Sequence, residues 1–151
     1  MPATLARPIL ACMAVMAAVL AGSAAAQEAG VELVVEPGDG TRIEVPSGQE
    51  ITLQDVIWNA PGPDGLALRF RFLAPGIAPG GGVDFDMAAA DMQHLCDSYA
   101  VPRIADQGPH PDQVIISLSD VAVPFGEAAP EATQFFESFR IEEGVCVWEM
   151  F

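Results

Sequence analysis

Arg69 and Arg71 stand two residues apart in the run Leu66-Ala-Leu-Arg-Phe-Arg-Phe72. Residues two apart on a strand share a face, and two guanidiniums on one face can clamp a carboxylate or phosphate bidentately. The chain has no lysine and only 6 arginines against 21 acidic residues. Two of those scarce cations on one strand face are therefore the first candidate for binding chemistry. Cross-strand pairing with nearby carboxylates is the ordinary use of such residues, and the face is expected to be structural unless a ligand is shown.

Other constellations carry less. Pro79-Gly80-Gly81-Gly82 precedes a helix as a phosphate-cradling loop does, but no lysine follows, and Asp84 and Asp86 already load that helix end with negative charge. It reads as a linker. His94 and Cys96, with Met87 and Met92 nearby, would suit a soft metal, yet helical geometry turns His94 well away from the Met92–Cys96 side. His110 sits among prolines with no second ligand at metal-site spacing. Asp84, Asp86 and Asp91 do not fit a calcium-loop pattern, which leaves at most weak surface cation binding. Ser117, Ser119 and Asp120 cluster, but no Gly-x-Ser-x-Gly elbow exists and no histidine is placed to activate either serine. The many carboxylates offer no selected acid/base pair. No catalytic motif, cofactor motif or metal site emerges, and the chain leans away from an enzyme.

The elements that must position Arg69 and Arg71 read as follows. Leu66, Leu68, Phe70 and Phe72 alternate with Ala67, Arg69 and Arg71, the pattern of a half-solvated antiparallel strand. Runs 31–36 and 41–45 around Pro37-Gly38-Asp39-Gly40 suggest an N-terminal hairpin. Ile51 to Trp58 is ambiguous in period and leans to strand through Thr52, Val56 and Ile57. Asn59 to Gly65 is a turn, and Ala74 to Gly82 a flexible crossover. Asp84 to Tyr99 is the best helix, with Phe85, Ala89, Met92, Cys96 and Tyr99 on one apolar seam; Pro102 should stop it. Val114–Leu118 is a strand, and Pro124 makes 121–125 an edge or irregular segment. Thr133–Ile141 and Val145–Phe151 flank Glu142-Glu143-Gly144 as a closing hairpin. Its second run is apolar on both faces and should lie inside the sheet.

Charge and length set further bounds. Arg7, an apolar run from Ile9 to Leu20 and the small residues Ala24-x-Ala26 form an export signal, with cleavage before Gln27. The run is shorter than the roughly 18 residues of a spanning helix. Ser23 stands where a lipobox needs cysteine. Removing residues 1–26 leaves one domain, 27–151, with all 21 acidic residues and five arginines, a net charge of −16. Such a chain repels nucleic acid and anionic lipid surfaces, and cleavage leaves nothing for stable membrane insertion. Two cysteines remain, Cys96 on the helix seam and Cys146 on the closing hairpin. In an oxidising compartment one disulfide is the simplest arithmetic, worth about 4 kcal/mol on the chain-entropy model. The expected fold class is α+β: a single small domain, an antiparallel β-sheet built from hairpins, one main helix over about residues 84–100 packed on a face, and one disulfide as staple.

The second half also carries Leu95-Cys96-Asp97-x-Tyr99, Val101-Pro102, Ile115-Ile-Ser-Leu-Ser-Asp120, Val123-Pro-Phe-Gly-Glu127, Glu131-x-Thr-Gln-Phe-Phe-Glu137 and Cys146-x-Trp-Glu-x-Phe151. In these it resembles an uncharacterised family of small exported bacterial proteins, a domain of unknown function, from which no activity transfers. The name acetolactate synthase, sometimes attached to short chains of this kind, is rejected. That family holds thiamine diphosphate and its metal through Gly-Asp-Gly and a downstream Asn-Asn pair. Here Gly38-Asp39-Gly40 has no such pair, since Asn59 is the sole asparagine.

These readings converge on a soluble periplasmic or secreted binding or interaction module; they do not identify its partner, for which an envelope protein and a small anionic ligand are the candidates. A small carboxylate-based hydrolase is the alternative and needs a deep cleft with a carboxyl of raised pKa. A purely structural envelope protein would need neither. The exported form should begin at Gln27, as free amine or pyroglutamate, in an intact-mass measurement; Met1 retained in a membrane fraction would refute the cleavage.

Overall fold

The structure, a computed structural model, describes residues 32–63, 65–107 and 110–150. The predicted signal and its cleavage site lie outside the described residues. Seven strands form one mixed sheet: β1 (Val34–Pro37), β2 (Arg42–Ile43), β3 (Ile51–Gly62), β4 (Gly65–Leu73), β5 (Gln113–Ser119), β6 (Gln134–Glu142) and β7 (Val145–Glu149). The order is β1-β3-β4-β5-β6-β7, with β2 also paired to β3. Every pair is antiparallel except β4 with β5, which run parallel. Parallel neighbours need a crossover, and the chain's helix supplies it between these two strands.

That helix runs over 23 residues, as α1 (Phe85–Leu95), a π-turn (Cys96–Ala100) and α2 (Val101–Gln107). Asp84 caps it, its Oδ1 accepting the Met87 N–H at 2.9 Å. Pro102 does not stop it, contrary to the sequence expectation. Proline lacks an N–H and its ring crowds the carbonyl four residues back. Here the turn before it is widened, so that the Val101 N–H donates to the Cys96 carbonyl, and Val101 keeps right-handed helical geometry (φ −53°, ψ −49°).

The core lies between the helix and one face of the sheet. Leu68, Phe70 and Phe72 of β4 and Val114, Ile116 and Leu118 of β5 pack with Ala88, Met92, Leu95, Ala100 and Ile104. Full burial of side chains of this size stabilises by about 1.5–3 kcal/mol each. Tyr99 stands edge-on to Phe72, ring centroids 5.5 Å apart. The seam is rotated from the predicted one: Phe85 is exposed, while Ala88, Leu95 and Asp91 are buried. Asp91, 0 % exposed, accepts hydrogen bonds from the Ser47 N–H (2.9 Å), the Ser47 hydroxyl (2.5 Å) and Gln49 Nε2 (2.7 Å). It thereby ties the 46–48 turn to the helix.

Three further sequence expectations are corrected. The N-terminal runs are not a hairpin. β1 pairs with Asp55–Trp58 and β2 with Ile51–Thr52 of the same strand, so they are one interrupted strand with 38–41 looped out. Gly38 fits there because a Cβ would stand 1.8 Å from the Leu53 carbonyl oxygen. β3 extends through Asn59 to Gly62, and Asn59 takes a left-handed conformation (φ 59°) beside a register shift. Finally, β7 is an edge strand, not an interior one.

The reason β7 can lie at the edge is that the helix occupies its free side. The outward Cys146 N–H donates to Asp97 Oδ1 at 2.8 Å, and the Cys146 carbonyl accepts from Gln93 Nε2 at 2.9 Å. These side chains substitute for another strand. Cys96 and Cys146 are joined as a disulfide with Cα atoms 6.1 Å apart and a sequence separation of 50. Reduction should cost about 2–4 kcal/mol. Cys96→Ala and Cys146→Ala should lower stability by similar amounts in denaturant melts, because each removes the same bond; clearly unequal losses would show that one thiol matters for packing alone.

Candidate functional site

β-pairing determines what shares a face with the two arginines. Asp55, Arg71, Ser117 and Phe136 form one row across β3, β4, β5 and β6, and Ile57, Arg69, Ile115 and Ser138 the next. Both rows lie on the face opposite the helix, since Phe70 and Phe72 take the other. The segment 120–133 bends over this face. It was expected to be an edge strand or irregular at 121–125, and it is irregular. Its ends are closed by Asp120, whose N–H donates to the Thr133 carbonyl (3.0 Å) and whose Oδ1 accepts the Thr133 N–H (2.9 Å).

The two arginines are used differently. Arg71 is a structural cation. Its Nη1 lies 3.1 Å from Asp55 Oδ2, with both side chains only 12–13 % exposed. Its Nη2 donates to the Val123 carbonyl, and Phe125 places its ring centroid 5.5 Å from the guanidinium carbon. Gln54 Nε2 donates to the same carbonyl at 2.8 Å, so Val123 is held from two sides. Arg69 has no carboxylate partner among the described residues. Its Nη2 makes one long contact to the Pro61 carbonyl, 3.4 Å, and its Nε has no partner.

Between the arginines and the 120–133 segment lies a groove of about 190 Å³, lined by Arg69, Arg71, Ser117, Phe125, Gln134 and Phe136 among others. Glu127 also lines it and pairs with neither arginine. Burial, and then the charge of Arg71, pull the Arg69 pKa below the ordinary arginine value. Burial pushes Asp55 above the ordinary carboxylate value, with Arg71 opposing that rise. The site is therefore a partly desolvated cation beside an already neutralised pair. An anion entering it meets one guanidinium that no carboxylate contacts directly, with Glu127 in the same groove opposing it.

The remaining sequence candidates are dispersed. His94 is exposed, Met92 is buried, and Cys96 is in the disulfide. Among the described residues no three His, Cys, Asp or Glu side chains converge as a metal site. The Ser119 hydroxyl donates to the Val121 carbonyl at 2.7 Å, and Ser117 alone of that cluster reaches the groove. His110 and Asp112 line a separate cavity of about 410 Å³ with Trp58 and Leu66, where Asp112 accepts the Leu66 N–H at 3.3 Å. Sequence reading missed Asp55 and Gln54, and it set Asp91 among surface carboxylates, whereas the structure buries it against Ser47 and Gln49. Only strand register reveals Asp55. Asp91 left a faint signal, three residues after Ala88 and four before Leu95 on the buried stripe.

Asp55 offers a titration test. A carboxylate whose folded pKa is raised binds protons more readily folded than unfolded. It therefore adds stability as pH falls through the folded value, down to the unfolded one. In ¹³C NMR its carboxyl should titrate above that of exposed Asp39, which the Thr41 N–H holds low. Arg71→Met should move Asp55 higher still, because it removes the opposing charge; an unmoved midpoint would mean that the ion pair is not formed in solution.

Neither the curated proteins nor the solved structures yield a match to this chain. A family model does match, over residues 15–151. The chain belongs to the family of unknown function DUF6497.

Proposed function

We infer that this chain is an exported binding module whose groove on the helix-free face holds a small anion against Arg69. One observation carries the reading: Arg69 is the described arginine left without a counter-charge or ring. Arg42 pairs with Glu44 and Glu50, Arg71 with Asp55, and Arg140 with Glu142 and Glu149. Arg103 stacks on Tyr99, 3.3 Å from the ring centroid. In a chain with 21 acidic residues, leaving a half-buried guanidinium unpaired is costly unless a ligand completes it. The groove's size favours a phosphate or short dicarboxylate, since sites for larger ligands run to about 300–1,000 Å³. Export is supported by the N-terminal signal pattern and by the disulfide. No helix among the described residues is long and apolar enough to cross a membrane.

The hydrolase reading has less support. Asp55 has the raised pKa that it requires, but its charge is taken by Arg71 and it does not line the groove. Glu127 has no second carboxylate there to work with.

Thermal-shift titration with phosphate, succinate and related dicarboxylates tests the proposal. A bound anion at saturating concentration should raise the melting temperature by about 2–6 °C, and Arg69→Gln should abolish the rise while leaving the fold intact. Arg71→Ala should instead lower the unliganded melting temperature, because it breaks the Asp55 pair and frees Val123. A rise no larger than chloride gives, or one that persists in Arg69→Gln, would refute the anion site and favour a purely structural role.

A further inference from the structure

On the other face of the sheet, a second groove of about 260 Å³ lies between α1 and the closing hairpin. It is lined by Ala89, Gln93, Glu137, Phe139 and Trp148. Strand register builds it. Trp148 of β7 is opposite Phe139 of β6, and Glu137 shares the Phe139 face two residues back. Phe139 is fully buried and forms the floor, while Trp148 is 51 % exposed. Ala89 keeps the groove open, because the helix presents a methyl there rather than a larger side chain. Gln93 is already engaged with Asp97 and the Cys146 carbonyl.

The charge in this groove is unbalanced in the opposite sense to the first site. Glu137 forms no ion pair among the described residues; the Trp148 indole N–H donates to its Oε2. Arg140, on β6, projects to the other face and is held by Glu142 and Glu149. A half-exposed indole clamped by a carboxylate, over an apolar floor, is the chemistry that recognises an organic ammonium. The ring's negative face and the carboxylate both attract the cation, and the floor takes its alkyl groups. We propose that this groove binds a small organic ammonium ligand, a quaternary or fully protonated amine head group. It does not depend on the anion site.

The test is a ¹H–¹⁵N NMR titration of the purified protein with choline and with tetramethylammonium. The chain has two tryptophans, so the Trp148 indole N–H reports on the groove and that of Trp58 serves as an internal control. The Trp148 signal should shift saturably, while that of Trp58 stays. The uncharged choline isostere 3,3-dimethyl-1-butanol should leave both in place. Glu137→Gln keeps an acceptor for the indole and should weaken binding about tenfold or more. Ala89→Leu, which fills the groove but leaves Glu137 and Trp148 intact, should abolish it. Arg69→Gln should have no effect. A non-saturating shift, an equal response to the neutral isostere, or unchanged affinity in Glu137→Gln or Ala89→Leu would overturn the proposal.

Discussion

The helix must stay fixed over an edge strand, and one residue bears that constraint. Cys146 gives its sulfur to Cys96, its N–H to Asp97 and its carbonyl to Gln93. A strand at a sheet edge normally leaves such groups free to recruit another chain. Here two helix side chains occupy them, and the covalent bond beside them keeps the helix from peeling away. One charge-assisted and one neutral hydrogen bond would contribute about 2–4.5 kcal/mol together. The disulfide makes their geometry persistent by limiting the unfolded chain as well. With the helix held there, the core is committed to one face, and the opposite face is left for Arg69, Arg71 and the 120–133 segment.

Local patterns made much of this legible. Alternation from Leu66 to Phe72 separated Phe70 and Phe72 from Arg69 and Arg71, because side-chain direction on a strand depends only on the period. The closing hairpin was readable from Glu143-Gly144, which take the positive φ values, 52° and 82°, that a tight turn demands. Pairing partners were not readable, because they depend on contacts far apart in sequence. Nothing local tells Arg42–Ile43 to join Ile51–Thr52, or Asp55 to face Arg71. The same holds for β5 beside β4: a strand's own residues do not declare whether its neighbour is parallel. The edge position of β7 was misread because its apolar residues suggested cover from a neighbouring strand, whereas the helix provides it.

The distribution of charge follows from this architecture. On the helix-free face, Arg69 and Arg71 share one groove, and Arg69 has no carboxylate partner among the described residues. On the helix side, Glu137 is unmatched in turn and leans on an indole. A strongly acidic chain can leave carboxylates on its surface at little cost, since water and salt screen them. A half-buried arginine has no such relief. The two grooves therefore differ in how informative they are about ligand charge, and the Arg69 side constrains its occupant more tightly.

The π-turn has a geometric meaning beyond tolerating Pro102. Ala88, Met92, Cys96, Ala100 and Ile104 are all buried, a strict spacing of four. In an unbroken α-helix each step of four overshoots a full turn by about 40°, so the stripe would wind about 160° around the rod by its end and leave the sheet. The extra residue taken up between Cys96 and Ala100 turns the stripe back, leaving a net drift of about 60°. The turn works as a phase correction. A one-residue deletion within it would leave the stripe aligned. Drawing it into α geometry without a deletion would instead swing α2 by about 100° and carry Ile104 off the core.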